Sequence, residues 1–221
     1  FNESDDGQGI AMNYCSWVDL AAYADWAGLR PMTEMEFEKA SRGPSSAVYG
    51  EYAWGTTTIT TATSILSSGF SGETAGQTGE GLANYNSGGA SGPLRVGFSA
   101  TNASNRKSAS AGYYGNMDMT DNVIERAVTL GTTTGRLFTG TAGDGTLTAT
   151  ASFEGNATNT DWPGINATTN RGVTGATGTG SKGGGWSSAN TVLYVSDRTT
   201  AATIDTTRAS TSGGRLSRTS P

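Results

Sequence analysis

The chain contains no histidine. That absence excludes Ser-His-Asp and Cys-His catalysis and every His-ligated metal site. A single cysteine, Cys15, excludes an internal disulfide, a cysteine zinc cluster and a two-cysteine redox centre. Charge is scarce too. Fourteen Lys plus Arg face nineteen Asp plus Glu in 221 residues, for a net charge of -5. No basic stripe is present, so neither nucleic acid nor an anionic membrane surface is an expected partner. No apolar run approaches the ~18–20 residues of a membrane-spanning helix, so no membrane insertion is expected. What fills the chain instead is small: 33 Gly, 35 Thr and 24 Ser. The 34% of hydrophobic residues still suffices for the core of one domain. Chemistry has few places to reside, and binding or assembly is favoured.

The Thr/Ser/Gly surface, the three lysines (Lys39, Lys107, Lys182) and the acidic balance suit an exported bacterial protein, extracellular or at the cell surface. Low cysteine content does not oppose export, since a chain this long buries a core without staples. Sequons begin at Asn2, Asn102, Asn156 and Asn166, as chance supplies in a Thr-rich chain. The start at Phe1, without a signal-like segment, suggests a processed or partial sequence.

The whole chain, 1–221, reads as one domain: a polar arm at 1–13, a helical pair at 14–43 and a loop-rich part with short strands at 44–221. Ser16 and Asp19 resemble a capping box, and Trp17, Leu20, Ala21 and Ala24 fall on one helical face before Gly28. Thr33 and Glu36 form a second capping box for a helix over Met35 to Arg42, stopped by Gly43-Pro44. Glu38 and Arg42 stand four apart in the favourable order. Strands are predicted at Leu94–Phe98, Val123–Leu130, Arg136–Phe138, Thr146–Ala151 and Val192–Val195. Residues 172–185 read as a glycine loop, and the five tryptophans as core pins. Gly178, Gly180 and Gly183 match a dinucleotide fingerprint by spacing, but no apolar strand precedes them. Glu3, Asp5 and Asp6 read as a solvated face.

The order of segments carries more than any one of them. The run from Trp17 through Arg30-Pro-Met-Thr-Glu-Met-Glu-Phe-Glu-Lys-Ala-Ser-Arg-Gly43 resembles the hallmark of the formylglycine-generating enzyme (sulfatase-modifying factor) family. Tyr52-Ala-Trp-Gly55, Ala83-Asn-Tyr-Asn86 and Gly92-Pro-Leu-Arg-Val-Gly-Phe98 look like its next segments. Gly115-Asn-Met-Asp-Met-Thr-Asp-Asn-Val-Ile-Glu125, Lys182-Gly-Gly-Gly-Trp186, Val195-Ser-Asp-Arg198 and Gly213-Gly-Arg-Leu216 complete the series in register.

The resemblance implies an α+β, C-type-lectin-like fold, loop-rich, with two early helices and short antiparallel strands. Family members carry several strands before the first helix. About fifteen residues precede it here, so a longer chain or a partner is expected to supply them. The family's enzymes oxidise cysteine with a pair of C-terminal cysteines or copper held by them. The matching stretch, Leu193 to Arg218, has none, and the resemblance places Cys15 far from it. Neither copper nor the family's oxidation is expected, and Cys15 reads as a small apolar core residue. Structural Ca²⁺ is the one cofactor implied, with Asn84, Asn122 and Glu125 as its ligands. The family's Gly before Asn122 is Asp121 here, its Trp before Glu125 is Ile124, and no acidic ligand stands between Asn84 and Pro93. Asp197 and Arg198 resemble a structural ion pair. Arg208, Arg215 and Arg218 are candidates for a shallow anion or glycan site, with solvation as their alternative.

The leading functional expectation is a non-catalytic surface or structural protein that packs with itself or another surface protein. Low charge and open sheet edges motivate it. A second reading is a ligand- or glycan-binding protein with variable C-terminal loops, Ser187–Leu193 and Thr199–Thr207. Some lectin-like folds are diversified in such loops by retroelements. A third is a family enzyme with altered chemistry.

Overall fold

A computed structural model describes residues 7, 9–168 and 170–219. Glu3, Asp5, Asp6 and the sequon at Asn2 lie outside the described residues, as does most of the polar arm. Helix α1 spans Trp17–Trp26. Ser16 caps it: its hydroxyl accepts from the Asp19 amide, and the Asp19 carboxylate accepts from the Ser16 amide at 2.9 Å. The predicted face is the buried one. Trp17, Leu20, Ala21 and Ala24 pack with Val128, Trp162, Val173 and Ala176. Each large apolar side chain buried there is worth about 1.5–3 kcal/mol.

Helix α2 spans Glu34–Arg42 and carries the predicted Thr33/Glu36 capping box. It ends at Gly43, whose φ of +67° suits glycine. The Tyr113 ring lies where a Cβ of residue 43 would project. Phe37 faces inward against Met32, Ala53 and Met119. Beyond α2, among the described residues, only two short helical turns form, α3 at Thr133–Arg136 and a 3₁₀ turn at Asn190–Leu193. Among the described residues no helix is long and apolar enough to cross a membrane.

Among the described residues nine short strands complete the architecture: β1 Arg30–Pro31, β2 Thr60–Thr61, β3 Ile65–Leu66, β4 Thr74–Ala75, β5 Leu82–Ala83, β6 Ile124–Val128, β7 Thr179–Lys182, β8 Ser212–Gly214 and β9 Leu216–Ser217. The central sheet runs β7-β6-β8. The expectation of antiparallel strands holds for β1–β9, β3–β4 and β6–β7, but β2–β5 and β6–β8 are parallel. Long connections separate both parallel pairs, which frees them from hairpin geometry.

Several predicted strands are something else. Arg136 ends α3, and Val192 and Leu193 lie in the 3₁₀ turn. Between Thr146 and Ala151 only Leu147 makes a bridge, to Ala157. Segment 94–98 pairs mostly with side chains: the Leu94 amide donates to Asn122, Arg95 to Glu73 and Gly97 to Asp118. Carboxylates and carboxamides thus take the place of a strand on one edge, while residues 9–11 bridge the other. Asp25 does the same for a distant loop, accepting from the amides of Asp144 (3.0 Å) and Thr158 (2.9 Å). Conversely, the predicted glycine loop contains β7. Gly180 lies so close to the Ala201 carbonyl that no side chain fits.

Three tryptophans are core pins as expected: Trp17, Trp54 and Trp162 are buried. Trp26 is not. It is 65% exposed, with its ring tilted against Tyr23 at 5.8 Å. Trp186 is half-buried. The four buried or half-buried indoles each donate to a backbone carbonyl, from Pro163, Thr58, Thr141 and Ser210.

Candidate functional site

Cys15 sits just before α1 and is buried. Burial, with the nearby Asp19 charge second, pushes its thiol up to about 11, so the reactive thiolate is disfavoured. Its position corrects one expectation. The Cys15 amide donates to the Ser212 carbonyl at 3.1 Å, so the residue lies beside the C-terminal stretch. The N-terminal segment runs along the outer edge of β8, which accounts for the closeness.

The C-terminal loops rest on a charged lattice. Arg198 engages both carboxylate oxygens of Glu34. Asp197 is not its partner, contrary to expectation; its carboxylate accepts instead from the amide and hydroxyl of Thr199. Arg42 bridges Glu38 and Glu51, both at 2.6 Å, and also donates to the Ser196 hydroxyl. Two buried cations reach the loops from the central sheet. Arg126 of β6 donates to the carbonyls of Cys15, Asp205 and Thr207 and to the Asp205 carboxylate. Lys182 of β7 donates to the carbonyls of Val195 (2.9 Å) and Asp197 (2.6 Å). Burial pulls its ammonium below the ordinary lysine range.

Above this lattice four rings form a ladder. Trp54 stacks on Tyr52 at 4.8 Å, Tyr52 meets Tyr194 at 5.3 Å, and Tyr194 meets Tyr49 at 6.2 Å. The first two rings are buried, and Tyr49 is 94% exposed. Burial pushes the Tyr52 phenol up to about 12. Tyr49 and Tyr194 line a groove of about 330 Å³ with Gly50, Thr191, Asp197 and Arg198. Sequence reasoning did not single out Tyr49. The only available signal was an aromatic residue in a polar stretch after Pro44.

The three residues implied as calcium ligands come together in part. The Asn84 carboxamide donates to the Asn122 side-chain oxygen at 3.1 Å. That oxygen also accepts from the Leu94 amide, so Asn122 is spent on the loop and does not fit a cation. Glu125 fits better. One oxygen accepts from Arg215 at 3.2 Å, and the other, Oε2, is buried with no partner. The Met119 carbonyl and Oε2 crowd the same space above Gly183, so two hard oxygens flank one point. Asn84 Oδ1 and Asp121 Oδ1 are also buried and unpartnered. Asp121, which replaces the family's glycine, accepts from the Asn84 amide at 2.8 Å. Burial raises Asp118 to about 6, and it lifts Asp121 and Glu125 well above the carboxylate range. Among the described residues no three Asp, Glu, His or Cys side chains form a metal cage.

The arginine candidates are dispersed. Arg208 pairs with Asp19 at 2.6 Å, and Arg215 is held by Met117 and Glu125. Of the fingerprint glycines, Gly180 lies in β7 and Gly178 and Gly183 flank it, and the strand opens no helix.

Residues 10–220 match the sulfatase-modifying factor enzyme 1-like domain. The chain belongs to this family. Its α+β architecture of two capped helices, short strands and long loops is the sulfatase-modifying factor fold. No curated protein matches the chain. Within the sulfatase-modifying factor family, this member has one thiol, and that thiol is buried.

Proposed function

We propose that this member of the family works by binding, without the family's thiol chemistry, through the groove beside Tyr49. The aromatic ladder carries the reading. An exposed ring set beside packed rings is the kind of residue that anchors a ligand. The single buried thiol supports a non-catalytic role, because oxidation of a substrate cysteine in this family calls for a thiolate pair. The Thr/Ser/Gly-rich, weakly charged composition supports export to the cell surface.

Assembly by strand addition has less support. The Ser181 amide of β7 donates to the Thr200 carbonyl, and the Ser212 carbonyl of β8 accepts from Cys15. Both outer edges of the central sheet are thus engaged by the chain itself.

Calcium enters the proposal as a structural ion. Glu125 Oε2 and the Met119 carbonyl would hold it, and the ion would neutralise a buried carboxylate. Asn84 offers a further free oxygen.

The test of the binding reading compares the chain with its Tyr49→Ala variant on a saccharide array and a displayed peptide library. Binding that depends on Tyr49, with an unchanged melting temperature, is expected. Equal binding by both proteins across all probes would remove the groove from the function.

A further inference from the structure

The groove beside Tyr49 offers rings and hydroxyl groups but no spare charge. Arg198, at its rim, is already held by both oxygens of Glu34. Asp197 accepts from the Thr199 amide and hydroxyl at 3.3 and 2.8 Å. The Ser196 hydroxyl takes a 2.7 Å bond from Arg42. Lys182 is buried and turned to the carbonyls of Val195 and Asp197. A charged ligand entering here would have to break an ion pair the protein has already made, and such exchanges gain little.

Main-chain partners are short as well. The Val195 amide is bonded to the Glu51 carbonyl, and the Asp197 amide to the Tyr194 carbonyl. Two of the backbone donors an extended peptide would use along this rim are thus already engaged. The side-chain groups that remain are the phenol rings of Tyr49 and Tyr194 and the hydroxyl of Thr191.

Resting on the binding reading above, we infer that the ligand is an uncharged saccharide with a pyranose ring seated on Tyr49. A pyranose presents an apolar C–H face, which packs on an aromatic ring. Its edge carries hydroxyls, which suit the phenol and threonine hydroxyls of the groove. The groove volume of about 330 Å³ falls within the span of small-molecule sites.

The test titrates the whole chain with maltoheptaose and with chitotetraose, read by intrinsic fluorescence and by saturation-transfer NMR. Saturable binding to at least one is expected. Its Kd should change less than about twofold between about 50 and 500 mM NaCl, because no ion pair forms. Tyr49→Ala should weaken binding by about tenfold or more without moving the melting temperature. Trp26→Ala, which removes an exposed ring that does not line the groove, should leave binding within about threefold. Failure of both saccharides to bind, or binding that survives Tyr49→Ala, would overturn the inference. A Tyr49-dependent peptide from a displayed library, with neither saccharide bound, would overturn the saccharide class alone and leave the groove as a binding site.

Discussion

Arg198 and Glu34 form a two-pronged ion pair that ties the C-terminal loop to the first turn of α2. Glu34 is buried at 1% exposure, whereas the Arg198 side chain is 48% exposed. The pair is therefore asymmetric. Arg198→Ala removes the ion partner of a buried carboxylate, leaving it the Leu130 amide and the Thr129 hydroxyl, and should cost about 2–3 kcal/mol in urea denaturation. Arg208→Ala removes a pair on the surface and should cost far less. Equal losses for the two variants would show that burial of Glu34 does not set the energy.

The capping carboxylate of α1 gives a pH signature. The Arg208 hydrogen bonds, opposed by some desolvation and aided by Ser16, lower Asp19 from 3.8 to about 2. A carboxylate lowered on folding adds stability that is fully present above its unfolded value. That contribution fades as pH falls from about 4 towards 2. Asp19→Asn should therefore lower the melting temperature at pH 7, with the capping part worth about 1 kcal/mol. The gap from the parent should close near pH 2. A constant gap across that window would assign the effect to packing.

Calcium binding is checked by thermal shift. Ca²⁺ should raise the melting temperature and a chelator should reverse the rise, as for any ligand that prefers the folded state. Glu125→Gln should abolish the response. A parent protein indifferent to Ca²⁺ would leave the Glu125 oxygen to be satisfied by a proton.

Cys15 should resist alkylation at pH 8 in the folded protein and react at once in urea. Its burial and its thiol value of about 11 both slow the reaction. Rapid labelling of the native state would show that the segment before α1 opens.

Arg126 makes the loop 199–207 depend on the sheet. Arg126→Met removes four hydrogen bonds from one guanidinium and should cost at least about 3 kcal/mol. Amide exchange in 199–207 should quicken more than in α1, where the helix keeps its own bonds. Uniform acceleration would mean that Arg126 supports the whole fold and not this loop.

The helices were legible because their signals are local. Capping at Ser16 and Thr33, the apolar face of α1 and the stop at Gly43 all lie within a few residues of what they govern. The strands were less so. Thr179–Lys182 looks like a loop because glycine disfavours strands, yet the close approach of Ala201 demands glycine there. Segment 94–98 looks like a strand, but Asn122, Glu73 and Asp118 meet its amides from afar. Ordered motifs disclosed the family. They did not disclose the groove, since Tyr49 and Tyr194 are joined only by folding. Pairings such as Arg198 with Glu34 were missed for the same reason, while the adjacent Asp197 looked like the natural partner.

Arg126 and Lys182 grip the C-terminal loops mainly by carbonyl oxygens. A carbonyl carries no record of the side chain beside it. The route of the loops is thus inherited from two strands, while residues displayed outward, such as Thr203 and Ile204, are free to drift through generations without redrawing the path.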